Sequence, residues 1–293
     1  MCGYPADASA MFERILFPTD FSEQSLRMFD CLLELHHMGT KEVIICHVAQ
    51  AGTALTPEQI FTLDRLEMSL EDIGVKAVEM IEEGDPVDKV LEAAIREKVS
   101  LIAMASSGKG RAREFLLGST SFGVLRSAPI PVLINKFEVT EKGGRTIVTP
   151  ACSSIFRKAL VPIDFSSCTE MCAELLPQLA RLGLREAVLF HVVEGARANL
   201  DDDDKFKQAM DEVMSKMDNL KQRLTEQGCQ TTTHVHFGTV SYNILEASRE
   251  LSVSLIILGA HRKSLLREIA LGGNSETVVR RSKVPLLIIP CER

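Results

Sequence analysis

The segment Arg14–Ser22, RILFPTDFS, returns later in the chain as Lys158–Ser166, KALVPIDFS. Three more stretches return in the same order. VIICHV, ending at Val48, reappears as AVLFHV, ending at Val192, at the same separation. GDPVDKVLEAAIREKVSLIAMAS from Gly84 matches GTVSYNILEASRELSVSLIILGA from Gly238, and APIPVLIN from Ala128 matches SKVPLLII from Ser282. A shared order with a single length adjustment between the second and third matches marks an internal duplication.

Within the first copy, short apolar runs alternate with helical segments. Ile15–Thr19 reads as a buried strand, and Ser22 opens a helix reaching about Met38. Glu42–Val48 is a second strand. Thr56-Pro57-Glu58-Gln59 has the form of a helix start, with Thr as N-cap, Pro at the first position and Gln reaching back; that helix stops near Gly74. Val75–Ile81 alternates like a strand, and Asp85-Pro86 opens a helix running to about Lys98. Leu101–Met104 is a strand, Ser119–Arg126 a short helix and Val132–Ile134 the last strand. This β-α-β-α-β-α-β-α-β order, repeated, predicts an α/β protein: two tandem five-stranded parallel, doubly wound domains. The expected domains are 11–136 and 157–293, with 137–156, which holds Gly143, Gly144 and Pro150, as a linker. Residues up to about Ala10 read as a loose leader.

Composition fits this reading. Apolar residues make up 45% of 293 residues and aromatics only 5%, with no Trp, so the core must be aliphatic, as buried parallel strands require. A formal charge of -7 argues against a general nucleic-acid surface. No apolar run approaches a membrane span, and the start, MCGYPADASAMFERIL, lacks the features of a secretory signal. The eight cysteines are scattered, with no C-x-x-C pair, so a reduced, cytoplasmic chain is expected. Cys168 and Cys172 share one helix face; metal binding or a redox pair is an option there, and coincidence is the plainer reading. Asp201–Asp204 reads as a solvated loop and helix start rather than a calcium site. His234 and His236, with Cys229 nearby, read as polar residues of a sheet edge rather than metal ligands. No metal site is expected.

Ligands of open parallel sheets bind beyond the carboxyl ends of the strands, where strand order reverses. Pro18-Thr19-Asp20 follows the first strand and Ala105-Ser106-Ser107-Gly108 the fourth. Gly118 then precedes Ser119, Thr120 and Ser121 at a helix start, which offers free N–H groups, a partial positive charge and hydroxyl donors to a phosphate. Lys109, Arg111 and Arg113 lie in the loop between. An ordinary capped helix beside a solvated loop is the competing explanation.

The spacing of this loop, A-SS-G-KGRAREFLL-GS from Ala105 to Ser119, resembles the nucleotide-binding branch of the universal stress protein family, whose pattern is G-x(2)-G-x(9)-G-[ST]. Only the first Gly differs. The resemblance extends to P-x-D after the first strand and H-V closing the second, and it covers almost all of both copies. It implies a Rossmann-like fold of the adenine nucleotide α-hydrolase type. By the same resemblance, Pro18, Thr19 and Asp20 face adenine and ribose, Val48 packs near the base, Met104, Ala105, Ser107 and Gly108 line the ribose and phosphate approach, and Gly118, Ser119, Thr120 and Ser121 hold phosphates. Ala105 adds a methyl where a positive φ or close contact is expected, weakening binding or favouring a smaller nucleotide. The second copy keeps Asp164, Val192 and Gly259, but Arg262 replaces the second Gly, and Gly272 is followed by Gly273, Asn274 and Ser275. That reads as a decayed site serving as a structural partner; the other option is Arg262 meeting a phosphate directly. His47 and His191, at equivalent strand ends, are expected to be structural.

The expected function is an adenine-nucleotide-binding (ATP or AMP) stress or signalling protein with no fast turnover and no catalytic residues. Slow hydrolysis, known in some relatives, would rely on Mg²⁺ with Asp20 nearest. A nucleotide-independent interaction scaffold and an adenine-nucleotide hydrolase are the alternatives. The resemblance also implies pairing through the last strands, so Val132–Ile134 and Leu286–Ile289 should meet in an intramolecular pseudo-dimer, and two such chains would be able to join as a homodimer.

Overall fold

The computed structural model describes residues 8–106, 117–142, 145–150, 155–194, 203–262, 269–270 and 272–291. In the first domain, helix α1 (Ala8–Glu13) leads into β1 (Arg14–Pro18), α2 (Glu23–Leu35), β2 (Glu42–Ala49), α3 (Pro57–Glu71), β3 (Lys76–Glu83), α4 (Pro86–Arg96), β4 (Leu101–Ala105), α5 (Ser119–Ser127) and β5 (Val132–Asn135). A hairpin of β6 (Phe137–Lys142) and β7 (Arg145–Pro150) follows. The second domain comprises β8 (Lys158–Pro162), α6 (Ser167–Arg181), β9 (Glu186–Val193), α7 (Asp203–Glu226), β10 (Thr231–Phe237), α8 (Val240–Glu250), β11 (Leu255–Arg262), β12 (Ile269–Ala270), α9 (Gly273–Arg281) and β13 (Leu286–Cys291).

The helix starts form as their residues dictate. Thr56 and Gln59 complete a reciprocal capping box, and Asp85 accepts the Val87 and Asp88 N–H groups ahead of α4. One expectation needs correction. Ala8–Ala10 are helical rather than loose, because Met11 and Phe12 are fully buried and anchor the helix, with the Phe12 ring 5.5 Å edge-on from Phe156. The segment between the domains, read as a linker, holds the β6–β7 hairpin, its strands paired from Phe137↔Pro150 to Lys142↔Arg145.

Strand order is β10-β9-β8-β11-β13-β5-β4-β1-β2-β3, with β12 beside β11. Within each domain all the main strands pair parallel, so each is doubly wound, and the order reverses between β1 and β4 and again between β8 and β11. The two sheets join where β13 meets β5 antiparallel, with Leu286↔Ile134, Leu287↔Leu133 and Ile288↔Val132 in register. The expected contact between last strands therefore forms within one chain. Alternating residues of these strands feed two apolar layers, one on each face, that run through both domains: Leu133 and Leu287 on one side, Val132, Ile134, Leu286 and Ile288 on the other. Across the same junction the Lys136 ammonium donates to the Val279 carbonyl at 2.9 Å, and the Arg280 guanidinium lies 4.0 Å above the Phe122 ring.

The cysteines depart from the reduced-chain expectation. Cys168 is bonded to Cys291 rather than paired with its helix neighbour Cys172, and Cys31 is disulfide-bonded too. Sequence spacing hides such a partner, because β13 reaches Cys168 only through the tertiary fold.

Candidate functional site

At each reversal point a loop leaves the first strand of its domain and turns into a helix. The two loops are built alike. The Thr19 N–H donates to the Cys46 carbonyl at 2.8 Å, as the Ile163 N–H donates to Phe190 at 2.8 Å. Asp20 Oδ1 accepts the Ser22 N–H at 3.0 Å; Asp164 Oδ1 accepts the Ser166 N–H and the Thr169 hydroxyl, each at 2.9 Å. Ser22 and Ser166 cap the helices that follow. Between aspartate and serine sit Phe21 and Phe165, with φ of 59° and 61°. Side chains larger than glycine avoid that left-handed region, so a strain held twice marks a loop whose shape matters.

The strand-end histidines hold those aromatics. The His47 ring lies 4.6 Å from Phe21, and His191 lies 4.9 Å from Phe165. His47 Nδ1 is 2.8 Å from the Thr19 carbonyl and His191 Nδ1 is 2.7 Å from that of Ile163. A carbonyl only accepts, so Nδ1 is the donor in both contacts. This is the structural role expected of both histidines. Thr19 is buried, and its hydroxyl pairs with Ser25 at 3.0 Å and accepts from the Phe21 N–H, so it shapes the loop from within.

In the first domain the residues expected to hold phosphates stand at the start of α5. Gly118 occupies the N-cap without any side-chain cap, and its own N–H donates to the Ser106 carbonyl at 2.6 Å. Among the described residues no group accepts from the first-turn N–H groups of Ser119, Thr120 and Ser121, the donors that every helix start leaves outside its own ladder. The Ser121 hydroxyl is buried and donates to the Ala105 carbonyl at 2.9 Å, which ties the helix to the end of β4 instead of offering a phosphate donor. Met104 and Ala105 are buried at that strand end, while Val48 is half-buried at the end of β2. Ala105 has no positive φ, so the methyl expected to strain the backbone does not. Ser107, Gly108, Lys109, Arg111 and Arg113 lie outside the described residues.

The second domain holds a cleft of about 660 Å³, a volume suited to a small organic ligand. Asp164, Val192 and Gly259 line it from the strand ends, and Gly272, Gly273, Asn274 and Ser275 line it from the start of α9. Gly272 is again an N-cap with no side-chain cap, and a Cβ built on either glycine meets nothing within 4 Å. The wall that sequence reasoning missed is α7, which contributes Phe206, Met210 and Lys216, with the Lys216 ammonium 5.5 Å above the Phe165 ring. The Arg262 backbone pairs with Ile269. Its side chain lies outside the described residues.

The other candidates gather no ligand set. The His234 and His236 rings lie 6.4 Å apart, with the latter against Phe190, and burial lowers the His234 pKa. Among the described residues no three His, Cys, Asp or Glu side chains converge on a metal position. Asp203 opens α7 and Asp204 is exposed; Asp201 and Asp202 are not among the described residues. Burial pushes the Cys46 and Cys172 thiols up to about 12, which keeps them protonated. No helix among the described residues is long and apolar enough to cross a membrane.

Two doubly wound domains in tandem, each with a helix that starts without a side-chain cap beyond its strand reversal, define a Rossmann-like class of protein. The chain belongs to the universal stress protein family, whose sequence model matches residues 11–136 and again 155–290. Universal stress protein MJ0577 of Methanocaldococcus jannaschii is 29% identical over 157 residues, covering 44% of this chain and 97% of its own. A universal stress protein from Archaeoglobus fulgidus has a crystal structure that aligns with 96% of this chain and 96% of its own, at a TM-score of 0.68 and 25% identity. A further universal stress protein, crystallised in complex with cAMP, aligns with 42% of this chain and 95% of its own at 26% identity and a TM-score of 0.35.

Proposed function

We propose that this protein binds adenine nucleotides, ATP or AMP, as a cytoplasmic stress-response or signalling protein without fast turnover, and that the first domain is the principal site. The observation that carries this reading is the uncapped start of α5, Gly118–Ser121, standing beyond a strand end whose loop presents Asp20. Free N–H groups at a helix start favour a polyphosphate, and the loop spacing from Ala105 to Ser119 is that of the nucleotide-binding relatives. Asp20, in the loop after β1, is the carboxylate that would meet Mg²⁺ accompanying a triphosphate.

Each strand-end histidine is engaged in its own loop, with Nδ1 on a backbone carbonyl and the ring against the neighbouring phenylalanine, and burial keeps the Cys172 thiol protonated; these contacts support a binding role without fast turnover. The second cleft is open rather than filled, which favours a lesser site of the same class over a collapsed remnant.

The decisive experiment is to denature the purified chain and identify any released ATP, ADP or AMP by mass spectrometry, alongside melting curves with each nucleotide added. A ligand held at a hundred times its Kd should stabilise the fold by about 2.7 kcal/mol. No released nucleotide and no shift with any of the three would refute the reading and leave an interaction scaffold.

A further inference from the structure

Three sulfurs meet in the wall of the second cleft. Cys168 lies in the first turn of α6 and lines the cleft; Cys291 ends β13; Cys172 lies one turn further along α6. All three are buried, at 2%, 2% and 0% exposure. The bonded pair, Cys168 and Cys291, has a Cα separation of 5.5 Å, which a disulfide spans without backbone movement. The strand between them is shaped for sulfur. A Cβ on Gly259 would stand 2.5 Å from Cys168 Sγ and 3.3 Å from Cys172 Sγ, so only glycine leaves room. In the first copy the matching positions are Gln24, Met28 and Phe137, opposite Ala105. The sulfur cluster therefore belongs to one domain alone.

We propose that Cys168 and Cys291 form a reversible thiol–disulfide site that fixes the wall of the second cleft when oxidised and frees it when reduced. In the cytoplasmic setting proposed above a disulfide is transient rather than structural, and this one ties the first turn of α6, in the wall of the cleft that Asp164 also lines, to β13. The chemistry balances with a small disulfide such as glutathione disulfide as oxidant. One protein thiolate attacks it and expels one glutathione; the second protein thiolate displaces the other. Two protein thiols and one glutathione disulfide become one protein disulfide and two glutathione thiols, and the reverse reaction opens the bond. Cys168, which faces the cleft, is the sulfur that a small thiol meets first. Cys172, held protonated by burial, takes no part.

Opening the bond releases the first turn of α6 from β13. That turn includes Thr169, whose hydroxyl and N–H hold Asp164 and Ser166 in place. The test equilibrates the full chain in glutathione buffers from fully reduced to fully oxidised, then acid-quenches, unfolds the chain in guanidinium, alkylates with N-ethylmaleimide and maps peptides by mass spectrometry. Cys168 and Cys291 should pass together from alkylated to mutually linked, with Cys172 alkylated throughout. Amide exchange over residues 164–170 should slow at least about threefold on oxidation, and the melting temperature should rise by roughly 10 °C. Cys172→Ser should keep both responses, and Cys291→Ser should lose them. The wild-type titration decides the matter alone should Cys291→Ser fail to fold. Equal alkylation of Cys168 at both ends, a bond that survives the reduced end, or unchanged exchange at 164–170 would each overturn the proposal. None of these readouts involves nucleotide, so they stand or fall apart from the nucleotide reading.

Discussion

In the first domain Ala105 ends β4, and Gln24 and Met28 stand on the helix behind the cleft; in the second, Gly259 ends the equivalent strand and cysteines occupy both helix positions. Around these differences the loops are the same, down to the left-handed phenylalanine and the histidine under it. The loop shape is thus common to both copies while the residues behind it differ. The family signature looks weaker in the second copy, yet its cleft is open and its glycines are unobstructed. Signature strength and cavity are separate properties, and measurement can separate them.

The largest effect expected is on ligand affinity. Gly118 has φ -62°, which any residue adopts, and aspartate is a good N-cap, so Gly118→Asp should leave α5 intact. Its carboxylate would occupy the first-turn N–H groups and oppose a phosphate some 4 Å away. At an effective dielectric near 20 that repulsion is about 4 kcal/mol, so affinity for ATP should fall by roughly 10²–10³-fold. Gly272→Asp, where a Cβ has open space, should remove only the weaker component of binding. Isothermal titration of both variants gives the ranking. The opposite order would transfer the principal site to the second domain.

The next effect lies at the junction, where the copies again differ: Lys136 in the first corresponds to Pro290 in the second. Lys136 is 1% exposed, and burial lowers its pKa from 10.5 to about 8. In the unfolded chain the amine keeps its proton up to the ordinary value, so between about pH 8 and 10.5 the unfolded state binds more protons. Stability should therefore rise with pH across that window, by up to roughly 3 kcal/mol, while below pH 8 the full burial penalty applies. Lys136→Met removes the penalty at neutral pH and forgoes one hydrogen bond to Val279, worth about 1 kcal/mol. Urea melts at pH 7, 8, 9 and 10 should show the rise in the wild type and a flatter profile in the variant. Identical slopes would place the lysine in a better-solvated setting than its burial implies.

The duplication made the fold readable, because apolar runs and helix starts recur in one order and strand reversal follows from that order. The helix start at Gly118 and the turn at Asp20 were legible too, since both are set by local backbone geometry. Features set by tertiary contact were not. Ser121 looks like a phosphate donor until its hydroxyl is seen on the Ala105 carbonyl of β4. The helical spacing of Cys168 and Cys172 is the coincidence it looked to be, and nothing in it announces Cys291, which only the sheet brings to Cys168. Phe21 and Phe165 carry no sequence sign of a positive φ, which glycine or asparagine would have given. The wall supplied by α7 depends on where a helix of mixed composition docks, which its periodicity alone does not specify.

Reciprocal exchange at the first signature position gives the smallest effects and the sharpest test of what that position does. In Gly259→Ala the new methyl meets Cys168 Sγ at 2.5 Å and the Cys168 carbonyl at 3.2 Å. The carbonyl belongs to a capped helix and cannot easily yield, so overpacking should destabilise the chain by about 1–3 kcal/mol. Ala105→Gly removes a methyl from a buried strand of ordinary backbone, with a loss of about 0.5–1 kcal/mol. Denaturant melts measure both. If glycine at this position serves the packing behind the sheet, ATP affinity in Ala105→Gly should stay within about threefold of wild type, since the Ala105 carbonyl still receives Ser121. A gain of tenfold or more would show that the methyl intrudes on the ligand, and the missing glycine would then explain a weakened first site. A position that reads as ligand contact in the family pattern would otherwise be, in this chain, a record of what lies behind it: sulfur in one copy and a methyl in the other.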